Sequence, residues 1–95
     1  MIQTVTGEIS KKDLGTVLMH EHISCASVSL RRAFGDKWLD PSRVEVLATA
    51  TLKQVKQRYG VGLFVDATPI DVGRDVLLLK AVSEASGVAI VASSG

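Results

Sequence analysis

The sequence is short of several residue types and patterns that mark specialised proteins. Its single cysteine, Cys25, excludes a disulfide within the chain, and its longest apolar runs fall well short of the roughly 18 residues that suggest a membrane span. Neither charge dominates, because 11 Lys and Arg residues are matched by 10 Asp and Glu residues. The basic residues are scattered, so the sequence predicts neither a nucleic-acid partner nor a membrane surface.

The first residues lack the charged and long apolar regions of a secretion signal. Together with the lone cysteine, this favours a reducing, cytoplasmic setting. An apolar content of 46% is typical of globular chains, and 95 residues suffice for one small domain or a piece of a larger one.

Residues 1–15 are predicted to form an N-terminal hairpin and turn that precede the main fold. Apolar and polar residues alternate from Ile2 up to Gly7, as in a short hairpin. Ser10 and Asp13 have the spacing of a capping box for one helical turn, which Gly15 then ends.

Residues 16–95 read as three strands separated by two helices. The strands are predicted at 16–22, 63–67 and 88–92. Residues 24–39 show no periodicity and are predicted to form a long loop, of the kind that often carries function.

The two predicted helices have clear local signals. Asp40 and Pro41 start the first helix and Gly60 ends it. The second is expected to begin near residue 71 or 73, with Asp75 in its first turn, and to end at residue 86. Its buried positions are predicted to be Val76, Leu79, Val82 and Ala85.

This order of elements predicts the α/β class. The strands are apolar on both faces, which is typical of a parallel sheet covered by helices or by its own closure. Right-handed crossovers would place the three strands side by side.

The most informative pattern is the pair His20 and His22 at the end of the first of these strands. Alternate residues of a strand project to one face, so the two imidazoles can lean toward one metal ion. The carboxyl ends of parallel strands are also where α/β proteins bind ligands. A catalytic zinc usually needs about three protein ligands, and the sequence has no third histidine, so the pair is half of a site.

Three charged residues are weaker candidates. Asp66 ends the second strand and could accept a hydrogen bond from a liganding imidazole, although a role in capping the following loop is equally open. Glu21 projects away from the histidines and is expected to pair with a cation on a covering helix. Arg74 could meet an anionic substrate, but an ion pair with Asp71 or Asp75 is favoured.

Two other patterns are set aside. The glycines at positions 60 and 62 precede a strand, which is the wrong context for a dinucleotide-binding loop. Ser24 and Cys25 follow the histidines without a recognisable base, and Cys25 is expected to be a small packed residue.

Four segments together resemble the N-terminal part of the phosphotriesterase family, within the amidohydrolase superfamily. These segments are QTVTG at 3–7, LGTVLMHEH at 14–22, VDATP at 65–69 and GRDV at 73–76. The resemblance covers nearly the whole chain, with residues 24–39 the least family-like.

The resemblance implies the first three strands and two helices of an incomplete (β/α)8 TIM barrel. Such a barrel typically has about 250 residues. It also implies a binuclear site for zinc or another divalent metal, with His20 and His22 as two ligands and the others on later strands. The implied reaction is hydrolysis of small-molecule esters, lactones or phosphotriesters by a metal-bridging hydroxide.

These 95 residues alone are expected to be inactive because most of the implied ligands are missing. Their unpaired strand edges would favour association, so a homo-oligomer is possible. The alternative is a small self-contained α/β binding module without metal chemistry.

Overall fold

Local sequence signals define most element boundaries in the computed structural model, which describes residues 1–95. The elements in chain order are β1 (Ile2–Thr4), β2 (Gly7–Ile9), β3 (Thr16–Glu21), α1 (Val28–Phe34), α2 (Pro41–Tyr59), β4 (Val61–Asp66), α3 (Val76–Ser86) and β5 (Ala89–Ala92). Short 3-10 turns lie at Lys11–Asp13, Gly35–Lys37 and Ile70–Val72.

The predicted N-terminal hairpin is present. β1 and β2 pair antiparallel, with Ile2 opposite Ile9. The Ser10 side chain accepts a hydrogen bond from the Lys12 N–H and caps the following turn. The backbone N–H of Val5 donates to the carbonyl of Ile90 at 2.9 Å, so the hairpin is attached to β5.

The main sheet is parallel and has the order β3-β4-β5, as predicted. α2 connects β3 to β4 and α3 connects β4 to β5, and the two helices pack against each other and against the sheet. The chain is therefore an α/β domain, with the carboxyl ends of all three parallel strands at one edge of the sheet. None of its helices combines the length and apolar character that crossing a membrane requires.

The caps of α2 are those that the sequence predicts. Asp40 Oδ1 accepts from the Ser42 N–H at 3.0 Å, Pro41 occupies the first turn, and Gly60 ends the helix with a left-handed φ of 66°.

The second predicted helix, α3, starts later than expected. Asp75 is its N-cap rather than a first-turn residue, and its Oδ1 accepts from the Leu78 N–H at 3.0 Å. Asp71 lies in a separate 3-10 turn, which Gly73 ends with a φ of 95°. The left-handed conformation at Gly73 interrupts the helical path, so the two segments do not merge.

The prediction of a loop over residues 24–39 is wrong in part, because this segment contains α1. Ser27 caps the helix by accepting from the Leu30 N–H, and the chain turns at Gly35. None of the seven residues of α1 is buried. The helix contributes no residue to the core, and the sequence accordingly shows no apolar periodicity there.

The core lies between the sheet and the helices α2 and α3. Its eight members are Leu52, Val61, Phe64, Leu78, Leu79, Val82, Val88 and Ile90. Leu79 and Val82 are buried as predicted, whereas Val76 and Ala85 are exposed. Leu78, Ser83 and Ser86 are buried as well, so the buried face of α3 includes Leu79 and Val82 but does not extend to Val76 or Ala85.

Two glycines let the backbones at the amino ends of β3 and β4 approach closely. A Cβ added at Gly62 would overlap the carbonyl oxygen of Leu14, and one added at Gly15 would overlap the carbonyl oxygen of Gly60. The Thr16 N–H also donates to the Gly60 carbonyl at 2.9 Å. The contact fixes the amino ends of the two strands next to each other.

We expect Gly62→Ala to destabilise the chain by several kcal/mol, because the added methyl group meets rigid backbone rather than a flexible side chain. Gly60→Ala is the matched control, since its added Cβ meets nothing within 4 Å. The only cost there is the strain of an alanine at a left-handed φ, about 1–2 kcal/mol of unfolding free energy. Urea unfolding monitored by circular dichroism compares the two. Equal losses would contradict the proposed close approach.

Candidate functional site

An extra residue near the end of β3 determines which way the candidate side chains project. Leu18 pairs with Phe64 and Glu21 pairs with Asp66, so β3 advances three positions while β4 advances two. Because side chains alternate along a strand, an irregularity of this kind reverses the faces. Glu21 therefore shares a face with Asp66, and His20 lies on the opposite face.

The two predicted metal ligands lie next to each other at the carboxyl end of β3. His20 is the penultimate residue of the strand and His22 directly follows it, and both are exposed. Their ring centroids are 5.5 Å apart and the ring planes are inclined by 75°. With metal–nitrogen bonds of about 2.0–2.1 Å, two imidazoles in tetrahedral coordination have ring centroids roughly 5 Å apart. The spacing of the pair is thus close to that of two ligands of one ion.

His22 has a hydrogen-bond partner that the sequence analysis did not identify. Its Nδ1 lies 2.8 Å from the hydroxyl oxygen of Thr68, and the Thr68 side chain is almost wholly buried. Thr68 follows β4 by two residues, in the loop at the carboxyl edge of the sheet. The sequence carries a signal for this contact, since a residue with a hydroxyl group follows Asp66 by two positions at the same edge of the sheet as the histidines.

Of the two roles that the sequence leaves open for Asp66, the structure shows the cap on the loop after β4 and not the hydrogen bond to an imidazole. Asp66 is 1% exposed, and its two oxygens accept from the backbone N–H groups of Ile23 and Thr68, both at 2.9 Å. It makes no hydrogen bond to His20 or His22. The β3 irregularity explains this result, because it places Asp66 and His20 on opposite faces.

Arg74 and Ser93 brace the same edge of the sheet. The Arg74 guanidinium donates through Nη1 to the carbonyls of Ser93 and Gly95, at 2.7 and 2.6 Å, rather than to Asp71 or Asp75. The Ser93 hydroxyl donates to the Thr68 carbonyl at 2.7 Å. The expected ion pair of Arg74 is therefore wrong, because backbone carbonyls satisfy the guanidinium.

Three other candidates do not join the site. Glu21 forms no ion pair, contrary to the expectation that it would meet a cation on a covering helix. Cys25 is an exposed free thiol rather than a packed residue, and Ser24 forms no side-chain hydrogen bond.

The donor set of the chain fits part of a metal site. Two imidazoles of suitable spacing are the kind of ligand that zinc prefers. No group of three or more His, Cys, Asp or Glu side chains lies close enough together to hold an ion. Residues 1–95 therefore offer two ligands where a catalytic zinc usually has about three.

The fold places the chain in the class of α/β proteins with a parallel sheet, and the paired imidazoles lie at the carboxyl edge, where proteins of this class commonly bind ligands. The model of the phosphotriesterase family matches residues 1–95, so the chain belongs to the phosphotriesterase family. The resemblance inferred from the sequence is thereby confirmed.

Curated relatives agree with this assignment. The chain is 33% identical over 94 residues to a phosphotriesterase homology protein of Mycobacterium tuberculosis, a match that covers 99% of this chain and 28% of that protein. It is 31% identical over 87 residues to an aryldialkylphosphatase of Saccharolobus solfataricus, covering 92% of this chain and 27% of that protein. The chain thus spans a little over a quarter of the length of these relatives.

We expect Asp66→Ala to destabilise the chain by about 2–5 kcal/mol, because the buried N–H of Thr68 and the part-buried N–H of Ile23 would lose a charged acceptor. Asp66→Asn keeps one oxygen acceptor and should cost less. Thermal unfolding measures the stability of both variants. The control is Asp71→Ala, because Asp71 is exposed and its side chain accepts no hydrogen bond. If Asp66→Ala were no less stable than Asp71→Ala, the bracing role of Asp66 would be disproved.

Proposed function

We propose that the chain forms the first part of a (β/α)8 barrel in a metal-dependent hydrolase, with His20 and His22 as two ligands of a divalent metal such as zinc. The observation that carries the proposal is the imidazole pair, 5.5 Å apart, at the carboxyl end of β3. The parallel order β3-β4-β5 and the family match over residues 1–95 support it. The second metal of a binuclear site would depend on ligands from outside this segment.

The proposed substrates are small-molecule esters, lactones or phosphotriesters. One relative is named an aryldialkylphosphatase, which supports an ester of phosphoric acid as one substrate class. A bound divalent metal would lower the pKa of water and polarise the substrate oxygen that it contacts. The contribution of this chain is to hold two imidazoles at the open end of the sheet, on a backbone braced by Asp66.

The isolated 95 residues should have no hydrolytic activity. They present two ligands, whereas a catalytic zinc usually has about three protein ligands and an open position for water. A complete barrel typically needs about 250 residues, and this chain has three parallel strands.

The ligand assignment predicts weak zinc binding by the chain that depends on both histidines. We expect His20→Ala and His22→Ala each to lower zinc affinity by at least about tenfold. Removing a residue that only hydrogen-bonds to a metal ligand already costs about that much, so removing a ligand should cost no less. Isothermal titration calorimetry with zinc measures the change. Met19→Ala is the matched control, since Met19 is exposed beside the pair but offers no imidazole. Unchanged zinc affinity in both histidine variants would refute the assignment.

A chimera tests the hydrolase proposal. Residues 1–95 would replace the matched segment of the Saccharolobus solfataricus aryldialkylphosphatase, and hydrolysis of an aryl dialkyl phosphate would be followed by release of the phenol. We expect the chimera to be active, and His20→Ala or His22→Ala to lower its rate by more than about tenfold.

The same assay on the 95-residue chain with added zinc should give no hydrolysis. Two results would contradict the proposal. One is a histidine variant of the chimera that is as active as its parent, and the other is hydrolysis by the isolated chain that His20→Ala abolishes.

A further inference from the structure

We infer that Thr68 is a positioning residue for His22: its hydroxyl accepts from the Nδ1–H and leaves Nε2 as the nitrogen that binds metal. The inference rests on the proposed function, because it assigns a role toward the metal that His22 would hold. The contact that carries it is the 2.8 Å separation of His22 Nδ1 and Thr68 Oγ1.

The hydroxyl of Thr68 occupies a fixed position. Its residue is 1% exposed, its N–H donates to Asp66 Oδ1 at 2.9 Å, and its carbonyl accepts from the Ser93 hydroxyl at 2.7 Å. Both backbone groups of Thr68 are therefore held by neighbours from the strands on either side of the loop. Since Thr is also restricted at χ1, little freedom remains for the hydroxyl oxygen.

The chemistry of imidazole makes this contact decisive for ligation. A neutral imidazole carries one N–H and one lone pair, and only the nitrogen with the lone pair can bind a metal. If Nε2 binds the ion, Nδ1 must carry the proton and needs an acceptor. Thr68 Oγ1 is the one side-chain atom that the structure places within hydrogen-bond distance of His22.

The alternative acceptor, the carboxylate of Asp66, is already engaged. Its oxygens accept from the backbone N–H groups of Ile23 and Thr68 and form no hydrogen bond to His22, so its link to the imidazole runs through Thr68. His20 has no hydrogen-bond partner for either nitrogen, which makes the two imidazoles unequal. His22 is oriented before any metal binds, whereas His20 is free to adjust.

The tautomer of His22 in the metal-free chain is the direct test. Two-bond ¹H–¹⁵N correlation spectra, recorded where the imidazoles are neutral, report which nitrogen carries the proton. We expect the Nδ1–H tautomer for His22 in the wild-type chain. Thr68→Val, which replaces the hydroxyl by a methyl group of similar size, should lose this preference, and Thr68→Ser should keep it.

The matched control is Thr49→Val. Thr49 lies on α2 and its hydroxyl is buried without a hydrogen-bond partner, so the same substitution there removes no contact to the site. It should leave the His22 spectrum and zinc binding unchanged. An Nε2–H tautomer in the wild-type chain, or an unaltered His22 spectrum in Thr68→Val, overturns the inference.

Zinc affinity gives a second, independent readout. We expect Thr68→Val to bind zinc about 10–100-fold more weakly than the wild type, the usual effect of removing the partner of a liganding histidine. If Thr68→Val fails to fold, the wild-type spectrum and Thr68→Ser still decide the question.

The outcome also separates this inference from the proposed function. Loss of zinc binding in His22→Ala with full binding in Thr68→Val overturns the role of Thr68 alone. Full zinc binding in His22→Ala overturns the metal assignment, and the role of Thr68 falls with it.

Discussion

The buried carboxylate of Asp66 is the interaction on which the candidate site depends. One oxygen accepts from Ile23, just after β3, and the other from Thr68, just after β4, while the backbone carbonyl of Asp66 accepts from the Ser93 N–H at 3.0 Å. A single residue thus joins the carboxyl ends of all three parallel strands. Burial of a carboxylate is costly unless charge-assisted hydrogen bonds replace its hydration, and these two backbone donors do so.

This bracing divides the carboxyl edge of the sheet into a buried layer and an open pair of imidazoles. Asp66 and Thr68 are each 1% exposed, whereas His20 and His22 are open to solvent. The polar groups below the histidines satisfy one another, so they do not compete for an incoming ion. The two imidazoles are thus exposed at the end of a strand whose backbone is held in place, as a site built on rigid elements requires.

The sequence predicts those features that depend on residues close together in the chain. Asp40 and Gly60 limit α2 through local capping chemistry, so both ends are placed correctly. α1 is missed because a seven-residue helix without a buried face leaves no periodicity to detect. The contact of Asp66 with the Ile23 N–H is missed for a different reason. It depends on one extra residue in β3 relative to β4, and the register between strands is set by packing rather than by either strand alone.

The origin of the contacts around His22 shows what this part of the molecule can determine by itself. Thr68 touches the imidazole, Asp66 and Ser93 hold Thr68, and Arg74 holds the carbonyl of Ser93. Asp66 ends β4, Thr68 and Ser93 follow β4 and β5 within two residues, and Arg74 lies between the 3-10 turn at Ile70–Val72 and α3. The orientation of His22 therefore follows from the packing of three adjacent strands, without a bound metal. Residues contributed from elsewhere in a longer protein would meet a His22 side chain whose orientation these contacts already set, whereas His20 has no such contact.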